Sequence, residues 1–126
     1  MSKAVLISIR PEWCEKIING QKTIEVRKTR PKMDTPFKCY IYRSVQGGVI
    51  GEFVCDDIFE RIVRVGAICD PPKYCICDWN MDCTPLDTLL ADACMTKDEL
   101  EKYLDGGVGY GLHISNLKIY DTLCNP

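Results

Sequence analysis

The sequence predicts an α+β chain that is mainly β: a mostly antiparallel sheet or small barrel, flanked by helices, in one domain over residues 1–126. Three observations carry this expectation. Short stretches at 23–27, 37–43 and 49–58 alternate apolar with polar side chains or are rich in aromatic and β-branched residues. Helical spacing is confined to 11–19 and to two segments between 84 and 105. The length of 126 residues, 46% hydrophobic and 27% charged, fits one soluble globular domain and excludes a disordered chain.

Taken in order, residues 4–9 form a short apolar strand that ends at Arg10-Pro11. Pro11 suits the first position of a helix, where its missing N–H costs nothing. Trp13 with Ile17, and Cys14 with Ile18, then share a face, and Asn19-Gly20 supplies a left-handed stop. From Thr23 the period becomes two, with Ile24 and Val26 on one side and Thr23, Glu25 and Arg27 on the other. The expectation is a half-buried strand whose polar face carries an acid and a base two residues apart. Strands follow at 37–43 and 49–58, separated by Gly47-Gly48, with Gly51 marking a bulge or corner. Residues 66–84 are irregular. Thr84-Pro85 opens one helix, and Thr96 opens a second through a capping box with Glu99 that ends at Asp105-Gly106-Gly107. Residues 110–114 and 117–120 read as two closing strands around Ser115-Asn116.

No apolar run is long enough to span a bilayer, and Lys3 followed by a strand-like run and Arg10-Pro11 does not resemble a signal peptide. Nine cysteines, an odd number, point to free thiols and a reducing compartment, so the expected location is the cytoplasm. The net charge of −2 hides an asymmetry. Residues 1–43 hold ten Lys or Arg against four acids, and residues 44–126 hold six against fourteen. Either one face attracts anions or the fold intermixes the segments.

The stretch Gly20-Gln21-Lys22-Thr23-Ile24-Glu25-Val26-Arg27 brings three ionisable groups within six residues, beside the basic Lys28, Arg30 and Lys32. Two arrangements fit it. The groups line a cleft that binds an anion or a polar base edge, or they form a solvated strand with an ion pair of little energetic weight. In strand register Lys22 falls on the side of Ile24 and Val26, so it joins Glu25 only if the chain bends there.

Gly20, Lys22, Glu25 and Arg27 match the G-x-K-x-x-E-x-R signature, and the sequence resembles the ASCH domain family of the PUA-like superfamily. Leu6-Ile7-Ser8-Ile9-Arg10-Pro11-Glu12, Phe37-Lys38-Cys39-Tyr40-Ile41-Tyr42, Val49-Ile50-Gly51-Glu52-Phe53 and the segment from Tyr110 to Asp121 are also similar. The resemblance implies a PUA-like small β-barrel flanked by helices, with a cleft beside the signature strand, and a partner that is RNA or a modified nucleoside. Trp13, Tyr40, Tyr42 and Tyr110 are then candidates for stacking on bases, and Arg10, Lys28, Arg30 and Arg43 for phosphates. Lys22, Glu25 and Arg27 would line the cleft, joined by Glu52 and His113 if their strand faces turn inward.

One branch of the family hydrolyses the amide of acetylated cytidine with a lysine, a threonine nucleophile three residues later and a distant glutamate. Lys22 matches the lysine, but Glu25 occupies the threonine position, and Thr23 does not replace it in strand register. The enzymatic alternative is therefore a hydrolase of a modified nucleoside, or a ribonuclease, with Lys22 and Glu25 as acid–base pair. A third reading is a protein-interaction domain, with no particular protein partner indicated. No cofactor is expected. Cys69, Cys75, Cys77 and Cys83 are weak zinc candidates, because their C-x5-C-x-C-x5-C spacing lacks paired C-x2-C knuckles.

Overall fold

The computed structural model describes residues 4–45, 47–65, 73–77, 83–84, 87–105 and 107–124, and side chains over 4–45, 47–59, 87–105 and 107–120. Strand β1 (Ala4–Ile9) buries Ile7 and Ile9 and leaves Leu6 and Ser8 outside, as a period of two requires. Pro11 starts helix α1 (Pro11–Ile18), which plants Cys14 and Ile17 in the core from adjacent turns. Asn19 keeps a right-handed conformation and Gly20 takes the left-handed one (φ +84°), a position that strains any residue with a Cβ.

The signature strand β2 (Ile24–Arg27) is only four residues long and lies antiparallel to the last strand. Of the two arrangements that fit its polar side, the solvated one is not adopted. Ile24 and Val26 meet helices α2 (Asp87–Ala93) and α3 (Lys97–Leu104) in one apolar cluster with Leu89, Ala93, Leu100 and Leu104. On the opposite face Glu25 is only 6% exposed. Helix α3 starts with the expected capping box, Thr96 and Glu99 each accepting from the other's backbone N–H.

Strand β3 (Phe37–Arg43) pairs parallel with β1 and antiparallel with β4 (Val49–Val65). Beyond them lie β5 (Lys73–Cys77), β6 (Cys83–Thr84) and β7 (Gly109–Cys124). Two expected boundaries change. β4 runs past residue 58 to Val65, and the two closing strands are one, with Asn116 at φ +47° bending β7 without ending it. Long strands that keep bulging can curl without breaking: β4 and β7 shift register four times along their shared ladder.

The sheet order is β1-β3-β4-β7-β2, with β5 and β6 continuing from the far end of β4. The inner face of this curl packs Ile7, Ile9, Ile41, Phe53, Cys55 and Leu112 against Ile17 of α1. Truncating such a residue to alanine costs about 2–5 kcal/mol. The barrel expected from sequence does not close: among the described strands no ladder joins β1 to β2, leaving a half-barrel. The physical reason is visible at the seam, where the Ser8 carbonyl of β1 accepts from the Arg27 guanidinium (3.2 Å), a side chain standing where a neighbouring strand would.

Candidate functional site

The left-handed Gly20 turns the chain back along α1, so that the Lys22 N–H reaches the Lys16 carbonyl (2.9 Å) and the Thr23 N–H reaches Asp92 at the end of α2 (2.7 Å). This bend lifts Lys22 out of strand register and aims it with Glu25, as the cleft arrangement requires. Lys22 is 3% exposed; its ammonium donates to the Ala93 carbonyl (2.7 Å) and lies 3.5 Å from one Glu25 oxygen. The other Glu25 oxygen accepts from Arg27 (3.2 Å). One carboxylate thus sits between two cations, with the second cation anchored to β1.

The open seam between β1 and β2, roofed by α1 and α3, is a cleft of about 730 Å³, within the range of small-ligand sites. Lys22, Glu25 and Arg27 line it together with Arg10 and Trp13. The Lys22 ammonium lies 4.9 Å from the centre of the Trp13 ring, a cation–π distance. Burial pulls the Lys22 pKa below its ordinary value, and Glu25 opposes that pull without cancelling it. The cleft therefore offers a poorly hydrated ammonium, a fixed carboxylate and an indole.

The family model described as the ASCH domain matches residues 7–71, which contain the whole signature and more than half of the chain. The chain belongs to the ASCH domain family. A comparison with curated proteins finds no match. Among solved structures, the ASCH protein of Zymomonas mobilis is similar at 19% identity with a TM-score of 0.66, over 93% of this chain and 70% of that one. Two single-residue variants of the same protein give TM-scores of 0.68 and 0.69, at 18% and 19% identity, over 98% of this chain and 76% and 74% of theirs. At such identity the likeness is one of fold. That fold is an ASCH half-barrel, mostly strands, with three helices among the described residues.

The remaining expected site residues of this ASCH chain separate from the cleft. Tyr42, Arg43, Glu52, Tyr110 and His113 do not line it. Glu52 faces the outside of the curl, where Lys38 (2.9 Å) and the Tyr120 hydroxyl (2.8 Å) hold its carboxyl below the usual range. His113 pairs outside with Asp56 (2.7 Å), whose carboxyl is also held low by that contact. Tyr110 packs against the core, and the Arg43 Nε is buried without a hydrogen-bond partner. Tyr40 lies under Lys38, and Arg30 binds the carbonyls of Pro31 and Met33.

Helix α3 contributes what sequence reasoning missed: Glu99, Lys102 and Tyr103 line the cleft, with Met95 just before the helix. The spacing of Glu99 and Tyr103 puts them on one face, but only the docking of α3 beside β2 turns that face toward the signature. Of the zinc candidates, Cys69 lies outside the described residues. Cys75, Cys77 and Cys83 are described in backbone only, with Cys77 opposite Cys83 in the β5–β6 ladder. No described helix is long and apolar enough to cross a membrane.

Proposed function

We propose that the protein binds RNA by taking one unpaired nucleotide into the cleft. The observation that carries this reading is the buried Lys22–Glu25 pair on the wall of an open hollow that also holds Trp13. A base is a flat, polar-edged ligand. Trp13 offers a stacking surface, Lys22 a donor and Glu25 an acceptor for a base amino group, while Arg27 holds Glu25 in place and Arg10 is left for the phosphate. A single-stranded partner suits a concave site, because a duplex keeps its base edges paired. Titration with short single-stranded RNA at several salt concentrations tests this. Binding weakens as salt rises and falls at least tenfold in Lys22→Ala; salt-independent binding, or none, rejects the reading.

A second reading rests on one further observation, the lowered pKa of Lys22 beside a carboxylate. In a hydrolase of a modified nucleoside, or a ribonuclease, Glu25 would take a proton from the attacking nucleophile and Lys22 would give one to the leaving group. Incubation with acylated and alkylated nucleosides and with RNA tests it, and turnover unchanged in both Lys22→Ala and Glu25→Ala removes the pair from the chemistry. We assign the protein to the cytoplasm, where the free thiols of Cys14, Cys39, Cys55 and Cys94 would stay reduced.

A further inference from the structure

We infer that Lys28 and Lys102 form a second, phosphate-binding subsite on the rim of the cleft, built on Tyr103, which holds the nucleotide adjoining the one in the cleft. This rests on the RNA reading above and gives it a polarity: the ligand is a strand of at least two nucleotides that leaves the hollow on the α3 side. Lys28 directly follows β2 and is exposed. Its ammonium lies 4.9 Å from the centre of the Tyr103 ring, a cation–π distance. One aromatic residue of α3 thus seats the charge of Lys28. Tyr103 and its neighbour Lys102 both line the cleft, so Lys28, seated on the Tyr103 ring, lies at its rim on the α3 side.

The charges around this exit are sorted. Helix α3 and its C-cap Asp105 carry four acids, yet Asp98, Glu101 and Asp105 do not line the cleft. Glu99 does, but its carboxylate is turned back onto the Thr96 N–H. Among the described residues no carboxylate lies within ion-pair distance of Lys28 or Lys102. Arg27, beside them, is occupied by Glu25 and Ser8. Two exposed cations with no carboxylate partner among the described residues make the rim of the hollow positive, and a phosphate there satisfies both.

The test compares mononucleotides (AMP, CMP, GMP and UMP) with mixed-sequence single-stranded RNA hexamers, for the wild type and for Lys28→Gln, a position outside the cleft lining. Lys28 is exposed, and the urea midpoint of the variant checks that it folds. The hexamer is expected to lose about tenfold in affinity at low salt. The slope of log K against log[salt] should fall by about 0.7, the value for one single-strand phosphate contact. Mononucleotide affinity should stay within twofold, and Lys28→Arg should restore the hexamer. An unchanged hexamer slope overturns the subsite and leaves the cleft reading intact. Equal loss for mononucleotide and hexamer also overturns it, by making Lys28 part of the cleft. Absence of all binding in the wild type overturns both.

Discussion

The Lys22 ammonium donates to the Ala93 carbonyl over 2.7 Å, although 71 residues separate them in sequence. Ala93 is the last residue of α2, where carbonyls lack helical partners and favour a cation. The signature loop therefore caps this helix, with the Thr23 N–H taking the preceding carbonyl of Asp92. One lysine serves the packing of α2 and the charge of the cleft together, which makes the site's chemistry separable from the fold only by careful substitution.

Lys22→Met keeps the length of the side chain and removes the charge. It leaves the Ala93 carbonyl without its donor and Glu25 with Arg27 alone, at an expected cost of about 1–3 kcal/mol. Adding Glu25→Gln should cost less in this background than in the wild type, because the two groups share one network. Urea midpoints of the two single variants and the double measure this; strictly additive costs would show that the pair is not coupled.

The same lysine has a signature in alkali. Burial holds its folded pKa below the ordinary 10.5, so between those two values the unfolded chain holds a proton that the folded chain lacks. Unfolding free energy then climbs with pH in that window. The buried thiols act oppositely: Cys14 and Cys55 are pushed from 9.0 up to about 11 and Cys39 to about 12. Their contribution is whole below pH 9 and is lost as pH rises through the folded values. Both proteins carry the thiols, so wild type minus Lys22→Met isolates the lysine. That difference should shift toward the wild type as pH approaches 10.5 from below. A flat difference contradicts the burial of a charged Lys22.

Thiol reactivity follows the same burial. Cys14, Cys39 and Cys55 are at most 1% exposed, whereas Cys94 is partly exposed at the end of α2. At neutral pH iodoacetamide should modify Cys94 first of these four, and the other three only in urea. Peptide mass spectrometry after timed labelling reads this directly. Early modification of Cys39 would mean that the sheet opens at β3.

Gly51→Ala tests the curl of the sheet, away from the cleft. A Cβ at this position would lie 2.5 Å from the Lys118 carbonyl on β7, where backbone cannot give way cheaply. The expected loss is about 1–3 kcal/mol or more. An unchanged urea midpoint would show that β4 and β7 are not so close.

The local parts of this fold were legible because local rules govern them. Pro11 starts α1, Gly20 stops it, and the Thr96–Glu99 capping box starts α3. Boundaries set by long-range pairing were not. Asn116 looks like a turn between two strands, but β4 runs alongside and holds both halves in one ladder. The signature was visible as a motif, whereas its meeting with Trp13 was not, since Lys22 leaves strand register only because of the Gly20 turn. Glu52 and His113 share strands with the core, and a period of two alone does not tell which face of a curled sheet is the inside. Tyr103 and Lys102 were hidden for a similar reason: where a helix docks is decided by the cluster beneath it, here Ile24 and Val26.

The most direct measurement is the emission of Trp13 during RNA titration. The chain has two tryptophans, so Trp79→Phe leaves Trp13 as the single reporter. Short single-stranded RNA should quench it saturably, with a midpoint equal to that from anisotropy of a labelled RNA, as a base stacks on the indole. RNA binding that leaves Trp13 emission unchanged, or no binding at all, would contradict the assignment of this cleft as the nucleotide site.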